Sequence, residues 1–109
     1  MPAITLNADA VYEKFLSLLD RPDDEAWGLV WSEDAATLLK LHHHEFLPTI
    51  RAQWRGWSNN RLDHLAFLLG STGTAEEELL IVELLGAADA NVVSRAREAR
   101  EEFRPAGDA

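Results

Sequence analysis

Leu62, Leu65, Ala66 and Leu69 stand at the i, i+3, i+4 and i+7 positions of one helix face, and Gly70-Ser71-Thr72-Gly73 closes the segment. The same period recurs upstream. Val11, Phe15, Leu18 and Leu19 form a stripe widened by Tyr12 and Leu16, with Asn7 or Asp9 as its N-cap. Asp20-Arg21-Pro22-Asp23 ends that helix, because Pro22 has no N–H to donate and biases Arg21 away from helical angles. A short second helix through Asp24, Trp27 and Val30 follows, with carboxylates gathered at its positive N-terminal end. Ser32 is placed to cap a third helix, which carries Ala35, Leu38, Leu39 and Leu41. Pro48 either opens a new helix in its first turn or kinks a long one. Beyond it Ile50, Trp54 and Trp57 share a face flanked by Arg51 and Arg55, and Gly56, Ser58, Asn59 and Asn60 form a capping turn.

Residues 74–86 are the most apolar stretch and are expected to organise the fold. Thr74 and Glu77 have capping-box spacing, and Gly86 suits a left-handed helix end. The run Leu79-Leu80-Ile81-Val82 is also compatible with a buried strand, but the punctuation at both ends favours a helix needing neighbours on several sides. Asp89 caps a last helix with Val92, Ala96, Ala99 and Phe103 inward and Arg95, Arg97, Glu98 and Arg100 on its wet face. Pro105 stops it, and residues 105–109 are expected to fray. No stretch alternates convincingly, so the expected architecture is a single all-α domain over residues 1–109. It should contain about five to seven helices, the last three stacked antiparallel. Its core should hold Phe15, Leu65, Leu69, Leu80, Leu84, Val92, Ala96 and at least one of Trp54 and Trp57.

Helices near 60–69, 75–85 and 90–103 recur with short polar turns between them. The segment from Leu79 through Leu84-Leu85-Gly-Ala-Ala-Asp89 to Val92-Val93-Ser-Arg95-Ala96 resembles a HEAT-type repeat, with paired leucines before an Asp-containing turn. Val93 departs from that pattern, standing where a base normally follows the first Val. The run Trp54-Arg-Gly-Trp57-Ser-Asn-Asn-Arg-Leu62-Asp63-His64-Leu65-Ala66, followed by the helix pair, resembles small all-α immunity proteins of bacterial polymorphic-toxin and contact-dependent inhibition systems. That resemblance implies inhibition by binding a cognate toxin domain, and it carries over no catalytic residue.

Charge sharpens the picture. Ten bases against nineteen acids give a net charge of −9, which favours a basic partner and disfavours nucleic acid or an anionic membrane. The acids concentrate early: residues 1–46 carry net −6 and residues 47–109 net −3. Cysteine is absent, so no disulfide or thiolate metal site can form. The stretch Met-Pro-Ala-Ile-Thr-Leu-Asn lacks the basic and long apolar regions of a signal peptide, and no run approaches a membrane span; a cytoplasmic protein is expected.

The candidate chemistry is sparse. His42-His43-His44-Glu45 draws the eye, but neighbouring helical residues point about 100° apart, so only His42 and Glu45 converge, and a third ligand such as His64 must arrive by folding. Arg51, Arg55 and Arg61 with Trp54 and Trp57 either bind single-stranded nucleic acid or fold over core tryptophans and pair with the acidic half. No phosphate loop, nucleophile elbow, zinc-protease helix or calcium loop is present. These readings together predict a non-catalytic inhibitor, with no cofactor and no metal, that binds a basic toxin domain. A HEAT-like interaction scaffold is the alternative, and a metal enzyme using His42, Glu45 and His64 a further one. The expected contacts are Asp23, Asp24, Glu25, Glu33 and Asp34, with Trp31 either an aromatic anchor or a core residue.

Overall fold

A computed structural model describes residues 8–105 as helices joined by short turns, with no strand among the described residues. The α-helices are α1 (Ala8–Leu19), α2 (Ser32–Gln53), α3 (Asn59–Leu68), α4 (Ala75–Leu84) and α5 (Ala90–Glu102). A π turn, Trp27–Trp31, leads into α2, and a 3₁₀ turn, Trp54–Gly56, follows it. The chain is a compact all-α domain, and no helix among the described residues is long and apolar enough to cross a membrane. Asn7, expected as a cap, and residues 106–109 of the tail expected to fray lie outside the described residues. Asp9 sits inside the first turn of α1 and is not its cap.

Apolar periodicity translates directly into burial. Phe15, Leu65, Leu69, Leu80, Leu84, Val92, Ala96 and Trp54 are all core residues, while Trp57 is half-buried at its rim. Helix α2 touches α1, α3 and α4, and α5 packs on both α3 and α4. Helices α3 and α4 scarcely meet, so the last three helices stack in the order α3, α5, α4. Three caps form as the sequence implies: Ser58 accepts from Arg61 N, Thr74 from Glu77 N, and Asp89 from Asn91 N and Val92 N.

Several local expectations are corrected. Ser32 caps nothing, because the chain is already helical from residue 25; its hydroxyl donates back to Gly28 O at 2.9 Å. Pro48 lies within α2, and the break in helical geometry falls at His42, with φ −121° and ψ 23°. Leu41, about 200° around the helix from buried Leu39, is exposed, and Phe46, Leu47 and Ile50 after the break are buried. Helix α4 buries Leu80, Ile81 and Leu84, but Leu79 and Val82 face solvent. Gly86 does not adopt positive φ; among the described residues the left-handed glycines are Gly70 and Gly73, at φ 105° and 69°.

The capping box is only half made. Glu77 does not return to the Thr74 N–H, which is directed at Thr72 Oγ1. Its carboxylate is fully buried and accepts from the backbone N–H groups of Gly70, Ser71, Thr72 and Gly73 at 2.9–3.3 Å. The two left-handed glycines bend the loop into a concave ring of donors, and four such N–H groups satisfy the carboxylate better than the single Thr74 N–H could.

Candidate functional site

The last carbonyls of α1 have no partner within their own helix, as at any helix C-terminus. Here side chains add donors to the backbone bonds from Asp20 N to Leu16 O and from Arg21 N to Leu18 O. Trp27 Nε1 donates to Leu18 O at 2.8 Å, and His64 Nδ1 reaches Leu19 O at 2.9 Å. Asn60 Nδ2 donates to Leu19 O and Arg21 O. The Trp27 indole and the His64 imidazole stack with centroids 3.7 Å apart and planes 10° from parallel, and both are buried. The edge of this pair faces Phe67, whose ring stands at 69° to the indole. Asp23 Oδ1 lies 3.3 Å from His64 Nε2, and Arg95 reaches Asp63 Oδ1 at 3.3 Å while its guanidinium covers the Phe67 ring. Arg95, expected on the wet face of α5, thus ties α5 to α3.

Outside this buried pair runs an exposed arc. Asp24 Oδ1 accepts from Trp27 N and caps the helical path into the π turn, so the carboxylate cluster sits at a helix start as the sequence implies. In the π turn the backbone ladder closes i to i+5, with Ser32 N–H donating to Trp27 O. Such turns insert one extra residue into a helix and occur frequently at functional sites. The consequence is visible in exposure: Trp27 turns inward, while Leu29 and Val30 are 67% and 50% exposed. Asp23, Asp24 and Glu25 precede this apolar tip, and Glu33 and Asp34 follow it in the first turn of α2, all exposed. The rise from Glu25 to Asp34 is roughly 14 Å, within one protein interface.

The six expected contact residues therefore divide. Glu25, Glu33 and Asp34 have no ion-pair partner among the described residues, whereas Asp23 and Asp24 also serve the fold. Trp31 is half-buried, packs against the core and lies beneath the Arg21 guanidinium at 3.8 Å, so it is not a free anchor. Leu29 and Phe67 were missed by the sequence reading. The signal for Leu29 is the run Trp27-Gly28-Leu29-Val30-Trp31, since four bulky apolar residues in five positions cannot all face one side of a helix.

The arginine–tryptophan stretch is occupied internally. Arg61 pairs with Asp20 at 2.6 Å and covers Trp57, and Arg55 lies over Trp54. Arg51 joins Glu76 at 2.7 Å and Glu83 at 2.6 Å, and Trp54 Nε1 donates to Glu83 Oε1. Burial pushes the Glu83 carboxyl up, but the hydrogen bonds from Arg51 and Trp54, with the charges of Arg51 and Arg55, outweigh it and hold the group below its ordinary value of 4.5. A depressed carboxylate contributes stability that is complete above the unfolded value and lost as pH falls through the folded one. The stability gap between wild type and Glu83→Gln is therefore expected to be widest near neutrality and to shrink below pH 4.5, as urea melts across an acid series would show. A gap constant with pH would refute the linkage.

His42, Glu45 and His64 do not converge. His42 stacks on Phe46 in α2 and approaches Glu45 at 3.8 Å, whereas His64 is fixed against Trp27 and Leu19. Among the described residues the group with three potential ligands in reach of one another is Asp23, Asp63 and His64. Compared with family models, curated proteins and solved structures, the chain matches none.

Proposed function

We propose that this protein is a non-catalytic, immunity-type inhibitor that binds a basic toxin domain through the π turn and its acidic flanks. The observation that carries the reading is the placement of Leu29 and Val30, exposed and apolar, between Asp23, Asp24 and Glu25 on one side and Glu33 and Asp34 on the other. Apolar contact at the centre and charge at the rim is the anatomy of a protein interface. A net charge of −9 supplies long-range attraction to a partner that must itself be basic to hold phosphate. Such an inhibitor acts in the bacterial cytoplasm, where its producer needs protection.

The test is co-expression with a basic toxin domain, sought among the products of adjacent genes, followed by binding kinetics at two salt concentrations. Protection is expected, with association slowed by salt and by Asp34→Asn. Leu29→Ala is expected to leave association unchanged and speed dissociation about tenfold, equivalent to about 1.4 kcal/mol. Absence of protection, or association indifferent to both salt and Asp34, would remove the reading. The scaffold alternative draws on Leu79 and Val82, which leave an apolar strip on the outside of α4. Binding lost in Val82→Ser, without any protection from a toxin, would favour it.

A further inference from the structure

His64 is 1% exposed, and both of its ring nitrogens face oxygen. Leu19 O can only accept, so Nδ1 carries the proton and donates to it. Nε2 faces a carboxylate oxygen of Asp23 at 3.3 Å, an acceptor, so a proton or a metal ion stands between the two atoms. A proton there makes an imidazolium–carboxylate ion pair, whereas a metal ion in its place makes Nε2 and Oδ1 neighbouring ligands. Asp63 contributes a second carboxylate, and one ligand atom from each of the three residues lies within 4.8 Å of the others. A cleft of about 90 Å³ opens at this point, lined by all three, and gives access from solvent.

We propose that His64 Nε2, Asp23 and Asp63 form a binding site for a divalent transition-metal cation, with zinc the best match. This goes beyond the inhibitor reading and does not depend on it. One imidazole with two carboxylates is a borderline nitrogen–oxygen set, suited to zinc and poorly suited to magnesium or calcium, which prefer oxygen alone. Zinc bonds of about 2.05 Å at the tetrahedral angle place neighbouring ligand atoms roughly 3.3 Å apart, the spacing between His64 Nε2 and Asp23 Oδ1. The Nδ1–H donated to a backbone carbonyl is the usual outer support of a metal-binding imidazole, fixing both its tautomer and its orientation. Arg95 opposes the cation electrostatically but engages Asp63 through a single oxygen, and the two carboxylates outnumber it. A bound ion would join the segment after α1, through Asp23, to α3, through Asp63 and His64. It would also neutralise one acid of the exposed arc.

The experiment uses the intact protein, stripped with a chelator and titrated with zinc in calorimetry and thermal melts. Stoichiometric binding and a higher melting temperature are expected, and cobalt(II) in place of zinc should give visible absorption bands. His64→Ala also removes a core contact, so the decisive variant is Asp63→Asn, expected to keep the far-ultraviolet dichroism and weaken zinc binding by about tenfold or more. His43→Ala/His44→Ala is expected to bind zinc as wild type does. Nitrogen chemical shifts should show zinc moving His64 Nε2 while Nδ1 keeps its proton. The proposal is overturned if wild type takes up no zinc at micromolar concentration, if Asp63→Asn binds it equally well, or if binding is lost with His43 and His44. It is equally overturned if His64 Nε2 carries a proton that zinc does not displace.

Discussion

Glu77→Ala is expected to destabilise the domain by about 3–5 kcal/mol, a loss comparable to the whole stability of many small proteins. The carboxylate accepts from four consecutive backbone N–H groups. Removing it leaves those donors to whatever water can enter, and each donor left dry costs about 1–3 kcal/mol. Ser71 is exposed and will rehydrate, which keeps the expected figure well below a fourfold sum. Glu77→Gln should fall between wild type and the alanine variant, because its amide oxygen still accepts while its NH₂ group faces donors. Urea denaturation followed by circular dichroism gives both values. An alanine variant within about half a kcal/mol of wild type would mean that the loop refolds around its own donors.

The capping-box spacing pointed to Thr74 and Glu77, and the Thr74 half is present. What spacing could not register is that Glu77 lies seven residues along the chain from Gly70 yet within hydrogen-bond reach of it. That contact depends on two left-handed glycines, which the sequence marked only as a loop. The stripes in α1, α3 and α5 were legible for the opposite reason: their burial is set by a period intrinsic to the helix. Ser32 and Gly86 illustrate the failure of single-residue signals. Each has the right side chain for a helix boundary, but the chain was already helical at Ser32 and needed no left-handed residue at Gly86.

The acidic arc was legible as composition but not as a surface. Counting acids could not separate Glu25, Glu33 and Asp34, which have no ion pair among the described residues, from Asp24, which caps the approach to the π turn. Nor could it bring Asp23 beside His64, forty-one residues away. Trp31 was the obvious aromatic candidate. The exposed apolar centre instead belongs to Leu29 and Val30, because the wider π ladder turns Trp27 inward and Arg21 covers Trp31.

Trp27→Ala is expected to cost about 3–5 kcal/mol, within the range for truncating a large buried aromatic side chain. Three separate losses combine there. The indole is 3% exposed and fills space among α1, α3 and the segment leading into α2. Its Nε1–H donates to Leu18 O at 2.8 Å, beside a longer bond from the Arg21 N–H, and its face supports the His64 imidazole. Trp27→Phe separates them, keeping an aromatic face and some volume while removing the donor. It should cost less than the alanine variant by about 2 kcal/mol, with loss of the shorter of two hydrogen bonds to Leu18 O accounting for roughly 0.5–1.5 kcal/mol of what remains. Thermal melts rank the two, and the His64 ring shifts report whether the imidazole stays in place. If Trp27→Ala and Trp27→Phe are equally destabilised, the hydrogen bond dominates and stacking contributes little. If neither loses more than about 1 kcal/mol, the π turn does not depend on its inward tryptophan, and the exposure of Leu29 and Val30 must come from the α2 helix instead.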